Sequence, residues 1–328
     1  GIRDFCLSRG LGDVYKRQNM DNLKKVGLTA LGTALVATSA QAADVSISMG
    51  TSIGFTGQDN NNQGSGWTMT DSVTFTTSGD MDNGMSITHT VELDGSAIDT
   101  HKIAIATDGM GTLTYVGDGG TGPIGAWDDV TPTANEEAHG TTFAGTKFGA
   151  ANNDTNTQNS FVYDYTVMDG LALKASYIPS DGTSSVDSSM DYGVLYTGID
   201  GLSVYAAMGE NNAASNSADL SMFAVVYTAG AFSVGYQMNE TDYGTGTDDE
   251  DFTALGVSYA VNDDLSVSVN QSTVDEEGSA QDQDATGISF SYTSGGMTIS
   301  GTHAQMDNVG GTATSDNTGY ELNFVFAF

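Results

Sequence analysis

From Asp44 onward the chain alternates. Segments such as "VSISMGTSIGF", "SVTFTTS", "MSITHTVEL", "LALKASY", "AFSVGYQM", "LSVSVNQS", "TGISFSY" and "MTISGTH" put Val, Ile, Leu, Phe, Tyr or Met on one face and Ser, Thr, Gly, Asn or Gln on the other. A period of two is the signature of a β-strand with one apolar face, and no stretch shows helical spacing instead. Two kinds of connector separate the strands. Tight ones such as "DMDNG", "DGMG", "MDG", "GIDG" and "VNDD" hold the Gly, Asn and Asp that hairpins need. Long polar ones include "QDNNNQGSG", "PSDGTSSVDS", "VDEEGSAQDQD" and "DNVGGTATSDN", and one runs much longer, from about Asp118 to Asn159. Counting between connectors predicts sixteen strands, each of roughly 9–11 residues, with the long loops at one end and the tight turns at the other.

The last strand, "YELNFVFAF", sharpens the problem. Its alternate residues Tyr320, Leu322, Phe324, Phe326 and Phe328 form an apolar face in a chain of formal charge -33. A soluble domain would need a core to cover every such face. Lipid covers them all if the sheet closes so that no backbone edge meets hydrocarbon. The even strand count and the short-turn, long-loop asymmetry fit a bacterial outer-membrane barrel. The predicted fold is therefore all-β, a transmembrane antiparallel β-barrel. A secreted β-sandwich or a calcium-binding β-roll also alternates, but no G-G-x-G-x-D nonapeptide recurs and sandwich connectors rarely sort by length.

Composition narrows the reading. Residues 1–19 carry the only Cys, Cys6, and all three Arg, Arg3, Arg9 and Arg17, and are read as adaptor-derived sequence. Residues 20–42 read as a secretory signal peptide: Lys24 and Lys25, a weakly apolar stretch, then Ala40-Gln41-Ala42 as the cleavage site. That leaves 43–328 as the barrel domain, with only Lys102, Lys147 and Lys174 as cations. Such a surface excludes a nucleic-acid footprint, and without Cys there is neither a disulfide framework nor a thiolate site.

Together these features resemble a Gram-negative general porin of the alphaproteobacterial type, carried chiefly by the long loop after the fifth strand and the "NFVFAF" end. The resemblance implies a passive outer-membrane channel for small hydrophilic solutes, a loop after strand five folded into the pore, a homotrimer, and a C-terminal aromatic signal (Tyr320, Phe324, Phe326, Phe328) read by the barrel-assembly machinery. One departure matters. Such porins set a row of Arg on the wall against acids on the loop, whereas no Arg follows Arg17 here. Lys102 and Lys174 are left to supply a weaker transverse field.

A loop of this length is expected to be functional. Its Ile124, Trp127, Phe143 and Phe148 are expected to pack on the inner wall and leave Asp128, Asp129, Glu136 and Glu137 at the narrowing, with Asp118 and Lys147 elsewhere on the loop. Carboxylates there favour cations. On the strands, alternation points Glu92, Lys102, Asp164, Lys174 and Glu321 into the lumen, where the other inward residues are mostly Ser, Thr, Gly and Asn. The four histidines, His89, His101, His139 and His303, lie scattered without a ligand motif, so no metal site or cofactor is expected beyond weak calcium binding by acidic loops. No Ser-His constellation marks an enzyme. The rival readings are a substrate-specific channel and a plugged structural or adhesive barrel.

Overall fold

Strands with one apolar face need continuous backbone pairing, and here that pairing runs full circle. The computed structural model describes residues 44–59, 65–139, 158–180, 187–212, 217–244 and 249–328. Sixteen antiparallel strands form one closed barrel in which each pairs with its sequence neighbours and the last returns to the first. They are β1 (Asp44–Gln58), β2 (Gly66–Asp80), β3 (Ser86–Asp94), β4 (Ala97–Thr107), β5 (Gly111–Asp118), β6 (Ser160–Met168), β7 (Leu171–Ile178) and β8 (Ser189–Ile199). The second half comprises β9 (Leu202–Asn211), β10 (Ala218–Ala229), β11 (Phe232–Tyr243), β12 (Glu250–Ala260), β13 (Leu265–Glu276), β14 (Gln283–Ser294), β15 (Met297–Asp307) and β16 (Asn317–Ala327). A single turn of helix, α1 (Pro123–Ala126), lies in the loop after β5. The predicted leader and adaptor segments lie outside the described residues.

Closure is made by β1 against β16, in register from Gly50↔Ala327 to Gln58↔Gly319. The final residue still joins this seam, because the Phe328 N–H donates to the Met49 carbonyl at 3.0 Å. Outward positions carry the apolar set, for example Val234, Tyr236 and Met238 on β11 or Val267 and Val269 on β13. At the turn end this face becomes aromatic, with Tyr196, Tyr227, Phe232, Tyr259 and Tyr292 exposed and Phe232 against Tyr259 at 4.5 Å. That row is the interfacial girdle that membrane barrels place at the water boundary. At the loop end of β10 to β15 the outward face turns acidic instead, with Asp219↔Asp242, Asp251↔Asp275 and Asp284↔Asp307 directly opposite each other. Carboxylates in cross-strand register repel, so the apolar band ends below them.

Two details differ from the sequence expectation. The strands are not uniform, since β1 and β2 run 15 residues each. The connectors also do not sort perfectly: β3 and β4 meet at the loop end through Gly95 and Ser96 alone, where Gly95 takes φ +57, a conformation a side chain disfavours. The β2–β3 ladder therefore starts only at Ser72↔Asp94, whereas β1–β2 pairing continues to Thr56↔Gly66. The rim is low at β3–β4 and high at β1–β2.

Inside and outside are one residue apart, which is testable on β12. Val257→Lys, outward, is expected to cost about 2–4 kcal/mol of folding free energy in lipid vesicles, while Ser258→Lys, inward, leaves it nearly unchanged; urea unfolding followed by tryptophan fluorescence compares them.

Candidate functional site: the loop across the barrel

The strand register sorts the wall residues. Inward positions of β1 to β3 are a sheet of hydroxyls, among them Ser52 and Thr70, hydrogen-bonded at 2.7 Å, with Thr74, Thr88 and Thr90 beside them. Glu92 also points inward and receives the Thr100 hydroxyl at 3.5 Å. Lys102 shares that face, opposite Thr90 and Val116. Asp164 and Lys174 sit directly across from each other on β6 and β7 and form an ion pair at 3.3 Å. The sequence placed both in the lumen as separate charges; the pairing cancels most of the field of Lys174. Among the described residues Lys102 takes part in no ion pair.

Opposite this open wall lies the loop. After β5 its described part, residues 119–139, crosses the inner faces of β8 to β16. Its first turn, α1, seats Ile124 among Ala207, Leu220, Met222 and Ala224, with Trp127 packed edge-on to Tyr205 at 5.7 Å. Pro132 then lies over Gly235 and Gly256, where an added methyl would come within 2.5–2.7 Å of it. Next, the Thr133 hydroxyl meets those of Ser268 and Ser289 at 3.3 and 3.2 Å, and the Ala134 N–H donates to Ser268 at 2.9 Å. Asn135 reaches β15 and β16, donating to Thr302 at 2.9 Å and to the Glu321 carboxylate at 3.0 Å. The Ala138 N–H then donates to Asn270 at 2.7 Å, and Ala138 packs with Ala285, Ala304, Met306 and Val309.

The apolar seat departs from the expected polar lumen. Inward Leu220, Met222, Phe252 and Met306 are buried because the loop covers them. The signal was present: "DLSMFAVVY" on β10 is apolar on both faces, which simple alternation does not produce. The anchoring side chains Asp191, Gln237, Asn239 and Asn270 were also missed, since polar residues on a lumenal face look like ordinary wetted wall.

Asp118 is at the foot of the loop, accepting from the Gly119 N–H at 3.0 Å and from Gln158 at 3.5 Å, so it ties the loop's two ends together. Asp128 lends its carbonyl to the wall, its peptide being held by Asn239 at 3.1 Å. Asp129 and Glu136 are exposed, and Glu137 is buried at 7% exposure. These acids feel one another. Partial burial raises the Asp129 carboxyl above its ordinary range, and burial together with the charge of Asp129 raises Glu136. For Glu137, burial dominates and the charges of Asp129, Glu136 and Asp128 add to it, pushing its carboxyl up to about 8. Lys147, Phe143 and Phe148 lie outside the described residues.

Two histidines that looked scattered are neighbours: His89 and His101, on adjacent strands, meet edge-to-face at 5.4 Å on the outward side. The tight Gly95–Ser96 connection folds them together, and twelve residues of spacing concealed it.

A barrel of this topology with its fifth connector laid inside invites comparison with known proteins. The family described as Gram-negative porin matches residues 27–328. The chain belongs to the Gram-negative porin family. Among solved structures, OmpT, an outer membrane protein of Vibrio cholerae in its trimer form, superposes with a TM-score of 0.68 at 16% identity, covering 88% of this chain and 100% of that one. A variant of Rh. blastica porin superposes at 0.65 with 17% identity, covering 87% and 100%. No curated protein matches the chain in sequence. This porin is thus a β-barrel of the bacterial outer membrane and a diffusion channel across it.

Because Glu137 is neutral well below pH 8 and charged above it, negative charge at the loop grows as pH rises. The cation-to-anion permeability ratio of this porin is expected to climb between pH 7 and 9, read as reversal potential in a salt gradient, and Glu137→Gln flattens the climb.

Proposed function

We propose that this porin is a passive, water-filled channel for small hydrophilic solutes that prefers cations. The observation that carries the reading is the charge imbalance across the passage: Asp129 and Glu136 are exposed on the loop, while Lys174 on the facing wall is already paired with Asp164. Carboxylates beside a narrowing concentrate cations within a Debye length of about 8–10 Å at 0.1–0.15 M salt. Hydroxyls on β1 to β3 exchange hydrogen bonds with water or solute alike, which supports unselective passage of neutral polar molecules. No step in this reading makes or breaks a covalent bond.

The same proposal takes in a homotrimer, supported by the trimer form of the Vibrio cholerae protein, and delivery by the barrel-assembly machinery through the outward Tyr320, Phe324, Phe326 and Phe328. Calcium association with the acidic loops is weak and dispersed in this picture.

One observation favours a second reading, a substrate-selective channel. A hollow of about 530 Å³ near the β4–β5 turn is lined by Trp127, Asp164, Lys174, Thr112 and Thr166, an aromatic ring beside paired charges and hydroxyls. Liposome swelling separates the two readings, with size-ordered sugar rates expected for the unselective channel and one strongly favoured sugar overturning it. In a KCl gradient the reversal potential is expected to have the cation-selective sign, and Asp129→Asn with Glu136→Gln is expected to lower the permeability ratio on the order of two-fold; an anion-selective sign would remove the electrostatic part.

A further inference from the structure

We infer that Gln237 and Asp191, both on the wall, are the positioning residues that set the width of the passage by fixing the backbone of the loop segment bearing Trp127, Asp128 and Asp129. The inference rests on the reading of this loop as the constriction.

Asp191 on β8 is 1% exposed. Its carboxylate accepts the N–H of Ile124 at 3.1 Å and the hydroxyl of Ser176. Gly122 and Gly209 close in on it from two sides, and a methyl added to either would collide with the Asp191 side chain. The carboxylate therefore has no second place to lie. It holds the start of α1, whose N–H groups lack partners within their own turn.

Gln237 on β11 is fully buried. Its Oε1 accepts the Val130 N–H at 2.9 Å, and its Nε2 donates to the carbonyls of Trp127, at 3.1 Å, and Asp128. The carboxamide is itself aimed by Asn239, whose Oδ1 receives Nε2 at 3.0 Å and whose Nδ2 donates to the Asp128 carbonyl at 3.1 Å. One side chain thus engages three peptide groups, much as a neighbouring strand would. Between the two anchors Gly193 has no side chain, and a methyl there would strike Trp127 and Pro123.

The apolar seat under Ile124 also retains the loop, but by a different physics. Apolar burial is non-directional; it resists removal of the loop without fixing how far the chain slides along the wall. Hydrogen bonds weaken steeply with angle, so the carboxylate and the carboxamide select one placement. Asp129, the residue immediately before Val130, takes its position in the passage from that placement.

The test uses the whole chain folded into planar bilayers. Gln237→Met keeps side-chain length and removes every bond; Asp191→Asn keeps shape and removes the charge. Each is expected to give a several-fold rise in open-channel current noise, brief sublevels and a lower cation-to-anion ratio, with the barrel still closed by heat-modifiable gel mobility. A merely structural role would lower barrel stability and leave noise and selectivity as they were, and that result overturns the inference. Should Gln237→Met fail to fold, Asn239→Ala, which deletes one bond to the Asp128 carbonyl, is read in the same way. Asp129→Asn alone separates the two layers: if it leaves selectivity unchanged, the constriction reading fails, whereas if it shifts selectivity and the wall variants stay quiet, only the present inference fails.

Discussion

Hydrocarbon offers no hydrogen bonds, and this single constraint organises the molecule. Every strand N–H and C=O facing lipid must find a partner in a neighbouring strand, so the sheet has to close. The seam between β1 and β16 satisfies that requirement down to the terminal Phe328. Once closure is granted, the apolar outward faces need no protein core, and a chain rich in Ser, Thr, Gly and Asp can still be stably folded. The high acidic content then poses little difficulty, because carboxylates lie mostly on the water-filled side and at the rim, with Asp71 on the outward face of β2 an exception.

A second layer of order is built inside the first. The loop after β5 has no backbone ladder to join, and it substitutes side-chain partners drawn from successive strands: Asp191, Gln237, Asn239, Ser268, Asn270, Thr302 and Glu321. This leaves β1 to β4, with the turn-end halves of β5 to β7, as the uncovered bank of the passage. On that bank the pairing of Asp164 with Lys174 removes one of the few cations from the electrostatic balance. Burial, with their mutual repulsion, raises the carboxyls of the loop acids, and it pushes Glu137 up to about 8, so that this residue is protonated at neutral pH.

Much of the wall was legible in the sequence because its determinant is local. A period of two assigns Glu92, Lys102, Asp164, Lys174 and Glu321 to one side without any knowledge of neighbours, and the strand register agrees for each. What stayed hidden depended on contacts between distant segments. The Asp164–Lys174 pair needed the β6–β7 register, and the His89–His101 contact needed the two-residue turn between β3 and β4. The loop anchors were hardest, since Gln237 is separated from Val130 by 107 positions and has no local feature that distinguishes it from a solvated wall residue. The doubly apolar stretch around Met222 was the one local clue to where the loop would rest.

The two layers are fastened by different parts of the chain, and they can be edited independently. Barrel closure uses main-chain atoms, which every residue but proline supplies, while the inner loop is held by a handful of inward side chains. Under the constriction proposal, substitution at those positions changes what passes and leaves the cylinder closed. Insertion of one residue in a strand has the opposite effect: it would turn that stave of the barrel inside out, presenting serines to the fatty acyl chains and tyrosines to the water.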